Sequence, residues 1–407
     1  MAKIKQVRAR EILNGAGELT IETTVILSDG RFGISSVPSS HTAGAYEASS
    51  LLTSKAVSNV KDIIAPAVIG MDAEKQQEVD KKMIELDGTA NKGRLGANAI
   101  LSVSMSVAKA AAQSSMLPTF LYLREYIRKE NLTLKIPTPI VTLINGNREE
   151  NSSDFKDIMV MPPSSLGFSD SITTINKVRS SLLEDLRTEN LSTLSSNLGG
   201  YSPRVLSNEN ALNLVKQGIE SSNLRLGFDL FMAIDANAKS FYNEGKYKIK
   251  DNAQTMSAQD LSIVYSDLIK KFNLIYIEDP FIEEDWGGWT EFTANNSAQT
   301  LVVGDNLIVT NPYRLQMALD KKAVTGVVIK PIQIGTVIEA IAVVEVARIA
   351  GLKVIVSGRS AETNDDFIAD FAVGVSADYV RFGSLNRGEL VTKYNRLLDI
   401  EKQIKSL

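Results

Sequence analysis

Short apolar runs, each ending at a charged or polar residue, recur through the second half of the chain. They are FMAID (231–235), LIYIED (274–279), TLVVGD (300–305), GVVIK (326–330) and LKVIVSGRS (352–360). Each run is rich in β-branched residues and is followed by helix-like sequence, so each predicts a buried parallel strand in a βα unit. A series of such units predicts a β/α barrel, which carries its functional groups at the carboxyl ends of the strands.

The first half of the chain shows a different pattern. Apolar and polar residues alternate from residue 3 to about 37, with turn residues at 14–17 and 29–30, which predicts three antiparallel strands. Helical spacing of apolar residues follows over 54–66, 73–86 and 97–115. We therefore expect an α/β protein with a small α+β N-terminal cap domain over residues 1–130 and a C-terminal TIM-type β/α barrel over residues 131–407.

Composition and charge limit the classes of function. Of the 407 residues, 44% are hydrophobic and 23% are charged, which is typical of a globular protein with a core. The net charge of -4 argues against general nucleic-acid binding. The absence of cysteine excludes disulfides and thiol chemistry, and we found neither a signal core nor an apolar run of about 18 residues. We expect a cytoplasmic protein that does not bind membranes.

Three carboxylates end successive predicted strands. Asp235, Glu278 and Asp305 supply the oxygen ligands that a hard cation such as Mg²⁺ prefers. The alternative is that each acid caps the helix after its strand, and for any one of them alone this is the better interpretation. Three acids at neighbouring strand ends, with a lysine on the next strand, favour a metal site.

Cationic residues follow at the next strand ends. Lys330 follows the run GVVI, so its amine is predicted to enter the barrel mouth, where a lysine can act as a base. Arg359 and Ser360 offer a planar donor fork and a hydroxyl, which suit a phosphate or a carboxylate. Arg381, in DYVRFGS, adds a cation at a sixth strand end.

Each of these cations also has a structural interpretation. Lys330 could be an ordinary surface lysine. Arg359 could pair with Glu362 or Asp365, and Arg381 could form a salt bridge at the barrel rim. The sequence pattern alone leaves these alternatives open.

The chain resembles the enolase family over nearly its whole length. The segments that carry the resemblance are ELDGTANKGRLGANAILSVSMSVAKAAA (85–112), IEDPFIEEDW (277–286), VGDNLIVTNPYRL (303–315), IKPIQIGT (329–336) and SGRSAETNDDFIADFAVG (357–374). The resemblance implies an enolase-like fold whose first barrel strands depart from strict βα alternation. It also implies a lyase that interconverts 2-phosphoglycerate and phosphoenolpyruvate, binds two Mg²⁺ per subunit and forms a homodimer or a higher homo-oligomer.

The resemblance also assigns roles to residues. It implies that the three acids bind the structural Mg²⁺ and that Lys330 removes the α-proton of the substrate. Arg359 and Ser360 would hold the substrate phosphate. Arg381 replaces a family lysine that holds the substrate carboxylate, and Thr42 replaces a loop serine that binds the second Mg²⁺. Because Thr42 changes that ligand, we expect the second metal site to be weaker than the first.

Other positions depart further from the family pattern. In SNLGG (196–200), Leu198 stands where the family has the acid that assists loss of the hydroxyl group. Glu149 replaces an active-site histidine, and Lys156 and Asp157 replace a Gln-Glu pair. His41, the only histidine, lies in the equivalent of a catalytic loop, where an exposed histidine without a role is the alternative.

Two functions follow from these matches and departures. The retained acids and Lys330 favour a Mg²⁺-dependent enolase-type lyase with weak or altered turnover, in which Glu149 or Asp157 could take over the task of the missing acid. The substitutions favour a catalytically silent paralogue that serves as a binding or scaffold protein. The sequence supports the first interpretation more strongly, with a small phosphorylated carboxylate as substrate.

Overall fold

The computed structural model describes residues 2–38, 44–128, 133–146 and 152–406. The chain opens with a three-stranded antiparallel sheet in the order β1-β2-β3. Its strands are β1 (Ile4–Leu13), β2 (Leu19–Leu27) and β3 (Phe32–Ser36). Alternation along β2 buries Ile21, Val25 and Leu27 on one face, so the predicted sheet is confirmed.

Helices follow this sheet, and the first, second and fourth of them pack against its strands. They are α1 (Thr53–Asn59), which continues through a π turn (Val60–Ile64) into α2 (Ala65–Val68), and then α3 (Gln76–Asp87), α4 (Ala97–Ser114) and α5 (Thr119–Arg124). Helix α4 is rich in alanine and serine and is buried on nearly every side. Helix α3 begins at Gln76 rather than at the predicted residue 73, because the Asp72 carboxylate accepts a hydrogen bond from the Glu74 amide in a turn.

The second half of the chain contains the barrel. The remaining strands are β4 (Thr138–Pro139), β5 (Val141–Asn145), β6 (Asp157–Met161), β7 (Phe231–Asp235), β8 (Tyr242–Asn243), β9 (Lys246–Tyr247), β10 (Leu274–Glu278), β11 (Leu301–Gly304), β12 (Gly326–Ile329), β13 (Lys353–Ser357) and β14 (Tyr379–Arg381). Strands β8 and β9 form a separate hairpin, and the others follow the order β4-β14-β13-β12-β11-β10-β7-β6-β5. Only Ile140 separates β4 from β5, so together they bridge β14 and β6 and close the ring. All five strands predicted from the apolar runs are present.

The direction of β6 sets the composition of the barrel mouth. Strand β6 pairs antiparallel with both β5 and β7, whereas the neighbours from β7 to β14 pair in parallel. Asp157, the first residue of β6, lies opposite Asp235, the last residue of β7. The start of β6 therefore lies at the same end of the barrel as the carboxyl ends of the parallel strands. This confirms the expected departure from βα alternation.

Helices surround the ring and apolar side chains fill it. The helices are α6 (Phe168–Thr188), α7 (Asn208–Ser221), α8 (Ala258–Phe272), α9 (Trp286–Asn296), α10 (Pro312–Asp320), α11 (Val337–Ile349), α12 (Phe367–Gly374) and α13 (Gly388–Ser406). The side chains that pack inside the ring are Ile140, Met159, Met161, Ala233, Tyr276, Val303, Val328 and Ile355. The barrel is therefore a packed core rather than a pore.

The predicted loop over 187–210 is shorter than expected, because α6 continues to Thr188 and α7 begins at Asn208. The predicted division between the two domains, at residues 130 and 131, lies outside the described residues. Within the part of the chain that the structure describes, no helix combines the length and the apolar character needed to cross a bilayer.

Asp80 on α3 links the cap to barrel helix α11. Its carboxylate accepts hydrogen bonds from the Ile338 backbone amide at 3.1 Å and from the Gln76 side chain at 2.9 Å. Asp80 is 1% exposed, and this burial raises its pKa to about 7. The folded protein therefore favours a protonated Asp80 over a pH range in which an exposed aspartate is ionised.

We expect the stability of the protein to fall with rising pH through Asp80. Its folded pKa lies above the unfolded value of about 4, so the contribution is complete below about pH 4 and is lost as the pH rises through about 7. Asp80→Asn removes this titration, and the Gln76 side-chain oxygen, which has no partner among the described residues, can accept from the new amide. In denaturant unfolding, the free energy of unfolding of the variant should rise relative to that of wild type by up to about 1.4 kcal/mol per pH unit across that window. A constant difference would contradict the assignment.

Candidate active site

A cleft of about 300 Å³ lies at the barrel mouth. Its lining brings together residues from several strand ends, from the cap and from the loop before α7, among them Asp157, Leu198, Asp305, Lys330, Arg359, Ser360 and Arg381. A larger groove of about 690 Å³ lies beside α6 and α13, but Lys177 is the one charged side chain among the described residues that line it. The concentration of ionisable groups assigns the candidate site to the smaller cleft.

The three predicted metal-binding acids are all buried at this mouth. Asp235 and Glu278 are fully buried at the ends of β7 and β10, and Asp305, which follows β11, is 1% exposed. Asp235 and Glu278 also lie close to an acid that was not predicted, Asp279, and the three offer carboxylate oxygens within 4.8 Å of one another. The mouth therefore holds one more buried carboxyl group than the predicted set.

Asp279 is held in place by backbone groups. Its two oxygens accept hydrogen bonds from the amides of Asp305 at 3.0 Å and Asn306 at 2.8 Å. Its own backbone adopts the left-handed region, with φ of +46°. Burial, followed by the nearby charge of Asp305, raises the pKa of Asp279 to about 8. Asp279 thus ties the end of β10 to the loop after β11.

Arg381, the last residue of β14, lies among the acids. Its Nη2 is 2.7 Å from Asp235 Oδ2 and also donates to Asp157, while its Nη1 donates to Glu278. Burial alone would lower the pKa of this guanidinium, but the surrounding carboxylates, Glu278 first, raise it well above its usual value. One charged side chain therefore connects the start of β6 with the carboxyl ends of β7 and β10.

Two lysines complete the set of cations. Lys156 Nζ lies 2.8 Å from Asp235 Oδ2, and Lys330 Nζ lies 2.5 Å from Asp305 Oδ2. Burial alone would raise the pKa of each aspartate. The ammonium groups outweigh burial, Lys156 first at Asp235 and Lys330 first at Asp305, and lower both pKa values. Asp235 and Asp305 are therefore ionised at neutral pH.

Glu278 and Asp157 differ from these two aspartates. Burial raises the pKa of both, well above the usual value for Glu278, even though Arg381 acts in the opposite direction. Glu278 accepts a hydrogen bond from the Tyr276 hydroxyl as well as from Arg381, so both of its oxygens have partners within the protein.

Two of the three predicted ligands offer unpartnered oxygens to a divalent cation, although Asp305 does not belong to the group of acids whose oxygens lie within 4.8 Å of one another. Asp235 Oδ1 and Asp305 Oδ1 are buried and have no hydrogen-bond partner among the described residues. Carboxylate oxygens are the ligands that Mg²⁺ prefers. As a ligand, Glu278 would have to share an oxygen that already accepts from Tyr276 or Arg381. The other predicted metal ligand, Thr42, lies outside the described residues.

Arg359, the predicted phosphate ligand, has a partner that the sequence did not suggest. Its guanidinium nitrogens lie 3.1 Å and 3.3 Å from the two carboxylate oxygens of Glu47. Its backbone amide donates to Glu362 at 2.7 Å, whereas Asp365 pairs with Lys109. The guanidinium is thus held at the cleft by a residue 312 positions away in the sequence.

Leu198 also lines the cleft. Its backbone amide donates to Ser196 Oγ at 3.1 Å, and its carbonyl accepts from the Ser384 amide at 2.8 Å. Ser196 donates in turn to Asn145, whose side-chain amide donates to Asp157. The loop therefore places an apolar side chain at the cleft, at the position where the resemblance implies an acid.

The remaining predicted residues are placed as follows. Ser360 lines the cleft and is exposed. Asp157 has both oxygens engaged, one by Asn145 and the other by Arg381. Glu149 and His41 lie outside the described residues. The structure thus brings together every predicted site residue that it describes.

Comparison with known proteins identifies the relationship. The family model "Enolase, N-terminal domain" matches residues 4–123, and "Enolase, C-terminal TIM barrel domain" matches residues 133–407. A protein named Enolase from Acidothermus cellulolyticus is 39% identical over 415 aligned positions, which cover 99% of this chain and 95% of that relative.

Removing the central guanidinium tests the charge arrangement. We expect Arg381→Met to lower the free energy of unfolding by about 3–5 kcal/mol, because it leaves buried carboxylates without their shared cation. Arg225→Met is the matched control, since Arg225 pairs with Asp229 at 2.9 Å with 68% of its side chain exposed. The control should cost at most about 1 kcal/mol. Denaturant unfolding is measured without divalent cations. An equal loss of unfolding free energy in the two variants would contradict the role of Arg381 as the shared cation of the buried acids.

Proposed function

This chain belongs to the enolase family, and we propose that it is a Mg²⁺-dependent carbon–oxygen lyase that eliminates water from 2-phosphoglycerate with weak or altered turnover. The observation that carries this proposal is that Lys330 and Leu198 line the same cleft. The proposed base is retained, whereas the position of the family's acid has no ionisable group. The curated relative supports enolase-type chemistry at the level of the family.

Lys330 is the proposed base. For this role Lys330 must first lose the proton of the ammonium that pairs with Asp305. The neutral amine would then take the α-proton of the substrate, and Asp305, 2.5 Å away, would hold the resulting ammonium in place. Arg359 and Ser360 would bind the substrate phosphate, and a phosphate would have to share Arg359 with Glu47. A bound Mg²⁺ would stabilise the negative charge that develops on the substrate carboxylate.

Arg381 is proposed to hold the substrate carboxylate as well. In the structure its guanidinium contacts Asp157, Asp235 and Glu278, so this role requires it to turn a donor toward the substrate. An arginine offers five N–H donors in a fixed fork. Unlike a lysine, it can therefore contact the protein carboxylates and the substrate carboxylate at the same time.

Loss of the hydroxyl group is the step that the structure leaves without a dedicated acid. Leu198 cannot donate a proton. The described carboxyl groups that line the cleft are Glu47, Asp157 and Asp305, and each is paired with a cation of the chain. The candidates for a substitute acid are Asp157 and Glu149, of which Glu149 lies outside the described residues.

The second candidate function is a catalytically silent enolase-like paralogue that acts as a binding or scaffold protein. The observation that favours it is the pairing of the buried acids with Lys156, Lys330 and Arg381. Because these cations neutralise the acids, the barrel mouth can stay folded without a ligand. The retained base and phosphate-binding arginine favour the lyase.

Family membership also suggests the setting of this activity. We propose a homodimer or a higher homo-oligomer that acts in the cytoplasm on a small phosphorylated carboxylate, without a membrane or general nucleic-acid role. We propose one firm Mg²⁺ site and a second, weaker site at Thr42.

Addition of Mg²⁺ should stabilise the protein against heat. Binding to the folded state alone adds about 2.7 kcal/mol when the free metal is at 100 times its dissociation constant. We expect calorimetry to show a higher melting temperature with Mg²⁺ in wild type and no such shift in Asp305→Ala, which lacks a proposed ligand. Potassium chloride at matched ionic strength is the control. An equal response of both proteins to Mg²⁺ would rule out the proposed site.

The missing acid should separate two steps of the reaction. Exchange of the substrate α-proton with solvent needs Lys330 and the metal, whereas elimination also needs an acid, whose loss typically costs about 10² to 10⁴ in rate. We expect phosphoenolpyruvate formation to be slower than in ordinary enolases by about that factor, with exchange less impaired.

Two variants test this separation. Lys330→Ala should abolish both exchange and elimination, and Leu198→Glu should restore only part of the elimination rate, because Glu149 and Asp157 also differ from the family. Proton exchange in deuterated water is followed by NMR, and product formation by absorbance. Ordinary turnover in the unmodified protein would refute the account of the missing acid.

A further inference from the structure

Lys156 occupies an unusual position for a lysine. It directly precedes β6, the strand that runs opposite to its neighbours, so it lies at the barrel mouth. Its carbonyl accepts a hydrogen bond from the Gly146 amide at 3.0 Å, which fixes the backbone. Its side chain is 31% exposed, lines the cleft and ends against the buried carboxylate of Asp235.

The partner of Lys156 is a proposed metal ligand. Lys156 Nζ lies 2.8 Å from Asp235 Oδ2, and Arg381 Nη2 contacts the same oxygen at 2.7 Å. The other oxygen, Asp235 Oδ1, is buried without a hydrogen-bond partner among the described residues. A divalent cation at that oxygen would therefore share one carboxylate with two fixed positive charges.

The balance between acids and fixed cations at the mouth determines how strongly a metal ion can bind there. The buried carboxyl groups at the mouth are Asp157, Asp235, Glu278, Asp279 and Asp305. Lys156, Lys330 and Arg381 already supply positive charge to this set. Like charges a few ångströms apart repel strongly in a buried site, so each fixed cation lowers the gain from binding a metal ion.

We propose that Lys156 is a built-in counterion that weakens divalent-metal binding at this cleft and stabilises the site when metal is absent. Lys156 is therefore a residue that sets the metal affinity of the site through Asp235. This inference rests on the proposed Mg²⁺ site.

Calorimetric titration of the full-length protein with Mg²⁺ alone tests the inference. Lys156→Gln removes the charge and keeps a polar side chain, so it should bind Mg²⁺ at least about tenfold more tightly than wild type. Lys156→Arg keeps the charge and should bind like wild type. Lys239→Gln is the matched control, since Lys239 pairs with Glu283 at the same face of the barrel, has 60% of its side chain exposed and contacts no proposed metal ligand.

Melting scans supply a readout that does not depend on titration heats. With a chelator present, Lys156→Gln should melt below wild type, because Asp235 loses a partner, and Mg²⁺ should raise its melting temperature more than it raises that of wild type. Lys156→Arg should melt like wild type in both conditions, which keeps the test valid if the neutral variant folds poorly.

The outcomes separate this inference from the proposal on which it rests. Equal Mg²⁺ affinity in wild type and Lys156→Gln would overturn the role of Lys156 and leave the metal site standing. Tighter binding in Lys239→Gln as well would show a general effect of net charge and would also overturn it. Absence of binding in every variant would overturn both the inference and the metal site. Tighter Mg²⁺ binding in Lys156→Gln than in wild type, Lys156→Arg and Lys239→Gln would support both.

Discussion

Burial of several carboxyl groups in one barrel mouth is the constraint on which the rest of the site depends. Carboxylates removed from water repel one another and must be protonated, paired with cations or bound to metal. Arg381 meets part of this requirement through Asp157, Asp235 and Glu278, and a lysine pairs with each of Asp235 and Asp305. These contacts join the ends of strands distant in sequence, so the charge arrangement also positions the strand ends.

The same contacts limit what the site can do. The cations that stabilise the acids also compete with a metal ion, and they occupy the carboxylates that line the cleft. The chain carries Leu198 at the position where the resemblance implies the acid for the leaving group. The proposed base, Lys330, beside Leu198 supports the proposal that proton removal and elimination are separated in this member of the enolase family.

The sequence predicted the architecture well and the electrostatics of the site less well. The barrel strands were predictable because short β-branched runs are typical of parallel strands, and their last residues mark the mouth. Asp279 was missed because its role depends on amides of the loop after β11, and Glu47 because it is distant from Arg359 in sequence. The pairing of Lys156 depends on the reversed direction of β6, which a pattern of apolar residues does not show.

We infer that fixed cations of the chain neutralise most of the buried acids at the mouth, so that one metal ion binds firmly there and a second binds weakly. Anomalous diffraction from crystals soaked in Mn²⁺ tests it most directly. One strong manganese peak is expected in the cleft, at the unpaired oxygens of Asp235 and Asp305, with Arg381 still against Asp157 and Glu278. A cleft without a manganese peak, or Arg381 turned away from the acids, would contradict it.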